Sequence, residues 1–125
     1  MSETKENICA GGPTLIFACS GAADVGALSD LAARKLTSEG AGKMYCLAGI
    51  GGRIKGIMQT TQNAAHILAI DGCSLDCVKF CLEEAGFTEF DHMRVTDIGL
   101  EKGKSPSTDE NVATVVRAAR KKLGV

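Results

Sequence analysis

The sequence is poor in aromatic residues, with four Phe, one Tyr and no Trp among 125 residues. Proteins that grip single-stranded nucleic acid stack its bases on such rings, so the shortage argues against that class of surface. An excess of one charge is also lacking. There are 14 basic and 15 acidic residues, for a formal net charge of −1. That balance gives no strongly basic footprint for a phosphate backbone. Long hydrophobic runs are missing too: "LIFAC" and "HILAI" fall far short of the roughly 20 apolar residues that cross a bilayer. The N-terminus, "MSETKENICAGG", is polar and carries two glutamates, unlike a secretory signal. The expectation is a cytoplasmic protein that engages neither nucleic acid nor membrane. A homo-oligomer and an unidentified protein partner are both compatible with the sequence.

The C-x-x-C motif is absent as well. Without it the chain carries neither a thioredoxin-like redox motif nor the paired knuckles of a zinc ribbon or finger. Cysteine itself is plentiful, at six residues. In a cytosolic chain, cysteines point to metal binding or catalysis more than to a disulfide framework.

A chain of this length suits one domain, here 1–125 with 1–12 as a flexible N-terminal segment. It is 45% hydrophobic and 23% charged, ordinary for a globular protein. Burying about two-thirds of the unfolded surface, it needs no staple.

Short apolar runs alternate with longer amphipathic ones. "TLIFAC" (14–19) reads as a strand buried on both faces. Residues 24–40 read as a helix, capped by Asp24 and ended by Gly40. "KMYCLAG" (43–49) reads as the second strand, and 51–65 as a helix weakened by glycine. "HILAID" (66–71) is the third strand. "CSLDCVKFCLEEAG" (73–86) is a helix with Val78, Leu82 and Ala85 on its apolar side. "HMRVTD" (92–97) is the fourth strand. A final helix follows within 105–123, with Ser107 and Glu110 as its capping box. Strand–helix alternation predicts an α/β fold with a mainly parallel sheet of four or slightly more strands. It would be doubly wound (Rossmann-like), with helices on both faces and strand 1 between strands 2 and 3.

In that arrangement Cys19, Cys46 and Cys73 all fall at the carboxyl edge of the sheet, where open α/β folds place ligands. Neighbouring strands are about 4.8 Å apart, so these thiols can converge on one ion with Zn–S bonds of about 2.3 Å. Cys77, one turn along the same helical stripe as Cys73, adds a fourth sulfur. Cys81 lies about 12 Å beyond Cys73 along a helix and is expected to pack between helix and strand. Cys9 precedes strand 1 and is expected to be a bystander. His66 and His92 each begin a strand, which puts both at the opposite edge.

Cys73 at a helix start, and Cys19 ahead of one through "SGAAD", would have their thiolates stabilised by the helix dipole. That suits metal ligation and nucleophilic cysteine chemistry alike. "AGIGGRIKG" (48–56) follows strand 2. Gly51, Gly52 and Arg53, with Ser20, can bind a small anion, although a turn shaping the wall beside Cys46 is the plainer expectation. "GLEKGKS" (99–105) is one residue short of a P-loop, and Pro106 follows it, which excludes ATP binding on that motif. The loop is expected to border the carboxyl edge. Asp71 either orients Cys73 by accepting backbone N–H groups or serves as the turn's own side chain.

"FACSG", "MYCLAGIGGR" and "IDGCSLDC" together resemble the DGC-domain family of small prokaryotic proteins, named for its Asp-Gly-Cys motif. The likeness runs from "CAGGPTLIFACSG" to "RVTDIGLEKGKSP". The family is described as zinc-binding through four characteristic cysteines, which correspond here to Cys19, Cys46, Cys73 and Cys77. It has no established reaction, so the resemblance implies a site more than a function. The expectation is a protein binding one zinc ion through these four residues. The alternatives are a cysteine-nucleophile enzyme or carrier in thiol redox or persulfide transfer, led by Cys73, and an Fe–S or other soft-metal site.

Overall fold

The computed structural model describes residues 12–125, so Cys9 and the expectation for the N-terminal segment up to residue 11 lie outside the described residues. The elements run β1 (Thr14–Ala18), α1 (Asp24–Ser38), β2 (Lys43–Met44), α2 (Leu47–Gly51), α3 (Lys55–Gln62), β3 (His66–Asp71), α4 (Cys77–Glu84), β4 (Asp91–Arg94) and α5 (Asp109–Leu123), with one 3-10 turn at Val95–Asp97. The four strands form one sheet in the order β2-β1-β3-β4. Every pairing is parallel. This is the expected α/β fold, with strand 1 between strands 2 and 3.

Alternation along β1 builds the core. Ile16 and Ala18 face α1 and α5, where they meet Leu28, Leu36, Leu68, Ile70 and Val115. Leu15 and Phe17 face the other layer, with Ile50 of α2 and Val78 and Leu82 of α4. Both layers are closed to water, which explains why β1 and β3 read as continuous apolar runs rather than alternating ones. Among the described residues, no helix is long and apolar enough to cross a membrane.

Several expected boundaries shift, each for a local reason. Strand 2 is only Lys43–Met44, because the chain turns into α2 at Leu47. Tyr45 still donates its N–H to Ile16 O, at 2.9 Å. Helix α4 begins at Cys77, four residues late, so Cys73 is not helical and does not share a stripe with Cys77. Asp76, in the left-handed region at φ 56°, redirects the chain there. Asp24 is the first residue of α1 rather than its N-cap, which is Ala23. At α5 the cap is Thr108, whose hydroxyl accepts the Asn111 N–H, not a Ser107–Glu110 box. Residues 51–65 split into the end of α2, a turn and α3.

α1 packs closely on the loop after β1 at Gly26 and on the loop after β3 at Gly72. A Cβ at Gly26 would lie 2.7 Å from the Gly21 carbonyl oxygen, and one at Gly72 would lie 3.0 Å from the Val25 carbonyl carbon. Both obstacles are backbone, which cannot rotate away. Helix propensity alone would make Gly26→Ala stabilising by about 1 kcal/mol. The close approach reverses the sign: we expect a net loss of roughly 1–3 kcal/mol from overpacking. A urea midpoint measurement checks this, and a raised midpoint would contradict it.

Candidate functional site at the carboxyl edge of the sheet

The connection after β1 runs to one layer of helices and the connection after β3 to the other, so the winding reverses between these adjacent strands. In open α/β sheets that reversal opens a crevice at the carboxyl ends. Cys19 sits on its first lip. Its N–H donates to Ile70 O at 2.9 Å, carrying the β1–β3 ladder one residue past β1. Cys46 is the N-cap of α2, just beyond β2. The ring of Tyr45 meets Phe17 edge to face, centroids 6.1 Å apart, which fixes the chain immediately before Cys46. Cys73 follows Gly72 on the second lip and is half-buried. Cys77 opens α4 with its side chain exposed.

The Cys77 thiol is pushed up from its ordinary value, first by partial desolvation and then by the negative charges of Cys19, Asp71 and Cys73. Cys46, Cys77 and Cys81 line one cavity of about 1050 Å³. Cys81 is half-buried, packed against the α4-side core and directed toward the Leu47 carbonyl at 3.9 Å. Burial raises its thiol too, against the opposing charge of Arg53. Among the described residues no three of the sulfurs lie within 4.8 Å of one another. A tetrahedral Zn–S cage needs S···S separations of roughly 3.8 Å. Among the described residues the only trio of metal-capable side chains with ligand atoms all within 4.8 Å of one another is Asp71, Asp76 and His92.

That trio escaped the sequence reading. β4 is short and begins beside Leu68 of β3, so His92 pairs with Ala69 rather than lying at the opposite edge. Its Nε2 is 2.8 Å from Asp71 Oδ2. Asp71 also accepts the N–H groups of Val78 (2.8 Å) and Lys79 (3.2 Å) at the start of α4. Asp76 is held by both Arg94 Nε and a terminal Arg94 nitrogen at 2.7 Å. The Arg94 guanidinium, ahead of opposing desolvation, keeps the Asp76 carboxyl below its usual range. His66, in contrast, is exposed at the start of β3, as expected. Only the i, i+16 relation of Asp76 to His92, bridged by α4, could have signalled the trio, and no local pattern carries it.

The anion loop is used differently. Arg53, at φ 57°, donates to the carbonyls of Ile50 (2.8 Å), Gly51 (3.2 Å) and Glu84 (3.0 Å), tying the end of α2 to the end of α4. A cation is favoured at such helix C-termini. Gly51 is part of α2 and Gly52 its C-cap. Ser20 donates its hydroxyl to Asp30 at 2.8 Å instead of facing an open anion site.

The 99–105 loop does border the carboxyl edge. Lys102 Nζ lies 3.8 Å from Cys73 Sγ. Asp24 fixes the loop by accepting the N–H groups of Gly103 (2.9 Å) and Ser105 (3.0 Å). Those bonds, Gly103 first, outweigh desolvation and hold the Asp24 carboxyl below its usual range. A depressed folded value means the contribution is present above the unfolded pKa of about 3.9 and is lost as pH falls through the folded value. We therefore expect the Gly103 and Ser105 amides to lose hydrogen-exchange protection as pH drops below about 4. In Asp24→Asn that acid-dependent loss should vanish, and a variant that keeps it would contradict the assignment.

Comparison with known proteins agrees with this geometry at the level of the family. Residues 15–119 match the model of the DGC domain. The chain is 35% identical over 88 residues to a protein named anaerobic and virulence modulator AnvM, from Pseudomonas aeruginosa, covering 70% of this chain and 67% of that one. No solved structure matches. With its Asp71-Gly72-Cys73 turn at the sheet's reversal point and its match across nearly the whole α/β fold, the chain belongs to the DGC-domain family.

Proposed function

We propose that this DGC-domain protein binds one zinc ion through Cys19, Cys46, Cys73 and Cys77. Position supports this reading: the four residues come from the ends of three parallel strands and the start of α4, around the crevice where the winding reverses. Soft thiolates are the donor set that zinc favours. Binding would draw the sulfurs together, and the cation would offset the negative charge that makes the Cys77 thiol hard to deprotonate. Four thiolates on Zn(II) make a closed site of net charge −2, suited to holding structure. Bound through only three, the ion would offer an open coordination position as a Lewis acid. The name of the Pseudomonas relative supports a modulating role for the pair, with metal or thiol state as the input, over a housekeeping reaction.

A second reading is favoured by one contact. Reactive cysteines occupy electropositive, partly exposed surroundings, and Cys73 is half-buried with the Lys102 ammonium beside it. Cys73 would then be the nucleophile, with Cys77 or Cys19 as the resolving thiol, in redox or persulfide transfer. An Fe–S cluster or another soft metal fits the same donors and would colour the protein, whereas zinc would not.

Metal analysis of protein purified anaerobically tests the leading reading. We expect close to one zinc per chain. Single Cys73→Ser and Cys77→Ser variants should each bind zinc at least about 10-fold more weakly. Because the thiols must lose protons to bind, and Cys77 holds its proton tightly, affinity should rise steeply with pH around neutrality. Reduced protein that takes up no metal would contradict the proposal.

A further inference from the structure

Beside the thiols lies the cavity of about 1050 Å³. Its size is at the upper end of the roughly 300–1,000 Å³ seen for small-molecule sites. Most of its wall is apolar, supplied by Ala18, Met44, Leu47 and Ala48, with Cys46 and Cys77 adding sulfur. One rim is polar. There Asp30 uses both oxygens on protein partners, accepting from Ser20 Oγ at 2.8 Å and from Arg34 Nε at 2.7 Å. Its charge is thus committed. Desolvation would raise its carboxyl, but the bonds from Arg34 and Ser20 outweigh it and hold it low. Arg34 is anchored through Nε alone. Among the described residues its terminal nitrogens make no hydrogen bond, and the side chain, 66% exposed, belongs to the cavity's lining. A guanidinium fixed at one nitrogen with the others free offers a fork to a carboxylate.

We propose that this cavity binds a small amphiphile, an apolar body carrying one carboxylate. The body lies along the Met44–Ala48 wall and the carboxylate meets Arg34. The cavity adjoins the proposed zinc site and shares Cys46 and Cys77 with it, so ligand and metal are positioned to influence each other.

The test uses the reduced, metal-free full chain with 1-anilinonaphthalene-8-sulfonate (ANS) as the fluorescent probe. One site should bind ANS. Ala48→Phe, at an exposed lining position, should weaken ANS binding at least tenfold while leaving the circular dichroism unchanged. Gly51→Leu is a second way to fill the cavity, since a Cβ there meets only Cys81 Sγ, at an ordinary 3.8 Å. Decanoate should displace ANS several-fold better than decanol, and Arg34→Gln should erase that difference. Cys19→Ser and Cys73→Ser, which do not line the cavity, should weaken zinc uptake and leave ANS binding intact. Zinc uptake and ANS binding can therefore fail independently. Unchanged ANS binding in both cavity-filling variants, its loss in Cys19→Ser or Cys73→Ser, or equal competition by decanol and decanoate, would overturn the proposal.

Discussion

The buried carboxylate of Asp71 is the constraint on which the carboxyl edge depends. Its side chain is 1% exposed at the end of β3. A carboxylate so placed is costly unless its oxygens are hydrogen-bonded. Two N–H groups at the start of α4 and the His92 ring engage both oxygens. The helix dipole adds to the favourable field. One side chain thereby locks β3, α4 and β4 together and sets where α4 begins. The next two residues follow from that. Gly72 suits the place because α1 passes so close that a Cβ would press on its backbone at 3.0 Å, and Cys73, the first residue past the pinch, is half-buried against the α1-side core. The Asp-Gly-Cys order is thus a physical sequence of cap, close contact and thiol.

Two groups of metal-capable side chains therefore sit within one edge, and their commitments differ. Asp71, Asp76 and His92 are the tighter trio, yet their atoms are engaged with protein donors: helix N–H groups, Arg94 and one another. An ion entering there would have to break bonds that hold α4 in place. The thiols have weaker ties, a 3.8 Å contact from Lys102 to Cys73 and a 3.9 Å approach of Cys81 to a carbonyl. Sulfurs that stabilise little in the metal-free chain can move toward an ion at small cost, because rotation about χ1 reaches other staggered positions.

Much of this was legible in the sequence, for reasons that can be stated. The apolar runs of β1 and β3 are buried on both faces, so their composition alone marks them. The stripe of α5, through Val112, Val115, Val116 and Ala119, carries the helical period. Strand ends follow from strand positions, which is why Cys19, Cys46 and Cys73 could be placed near one edge. Features set by tertiary contacts were not legible. The four-residue delay of α4 depends on Asp71 reaching forward and on Asp76 adopting φ 56°. The position of His92 depends on the register of β4. The use of Arg53 depends on the end of α4, 31 residues away.

The proposed zinc site lies among the sulfurs and not among the Asp71, Asp76 and His92 side chains. Zinc K-edge X-ray absorption of the reduced, zinc-loaded protein decides between them. Four sulfur neighbours at about 2.3 Å are the predicted result. A shell of nitrogen and oxygen at about 2.0–2.2 Å would contradict it and move the metal to the carboxylate–histidine trio.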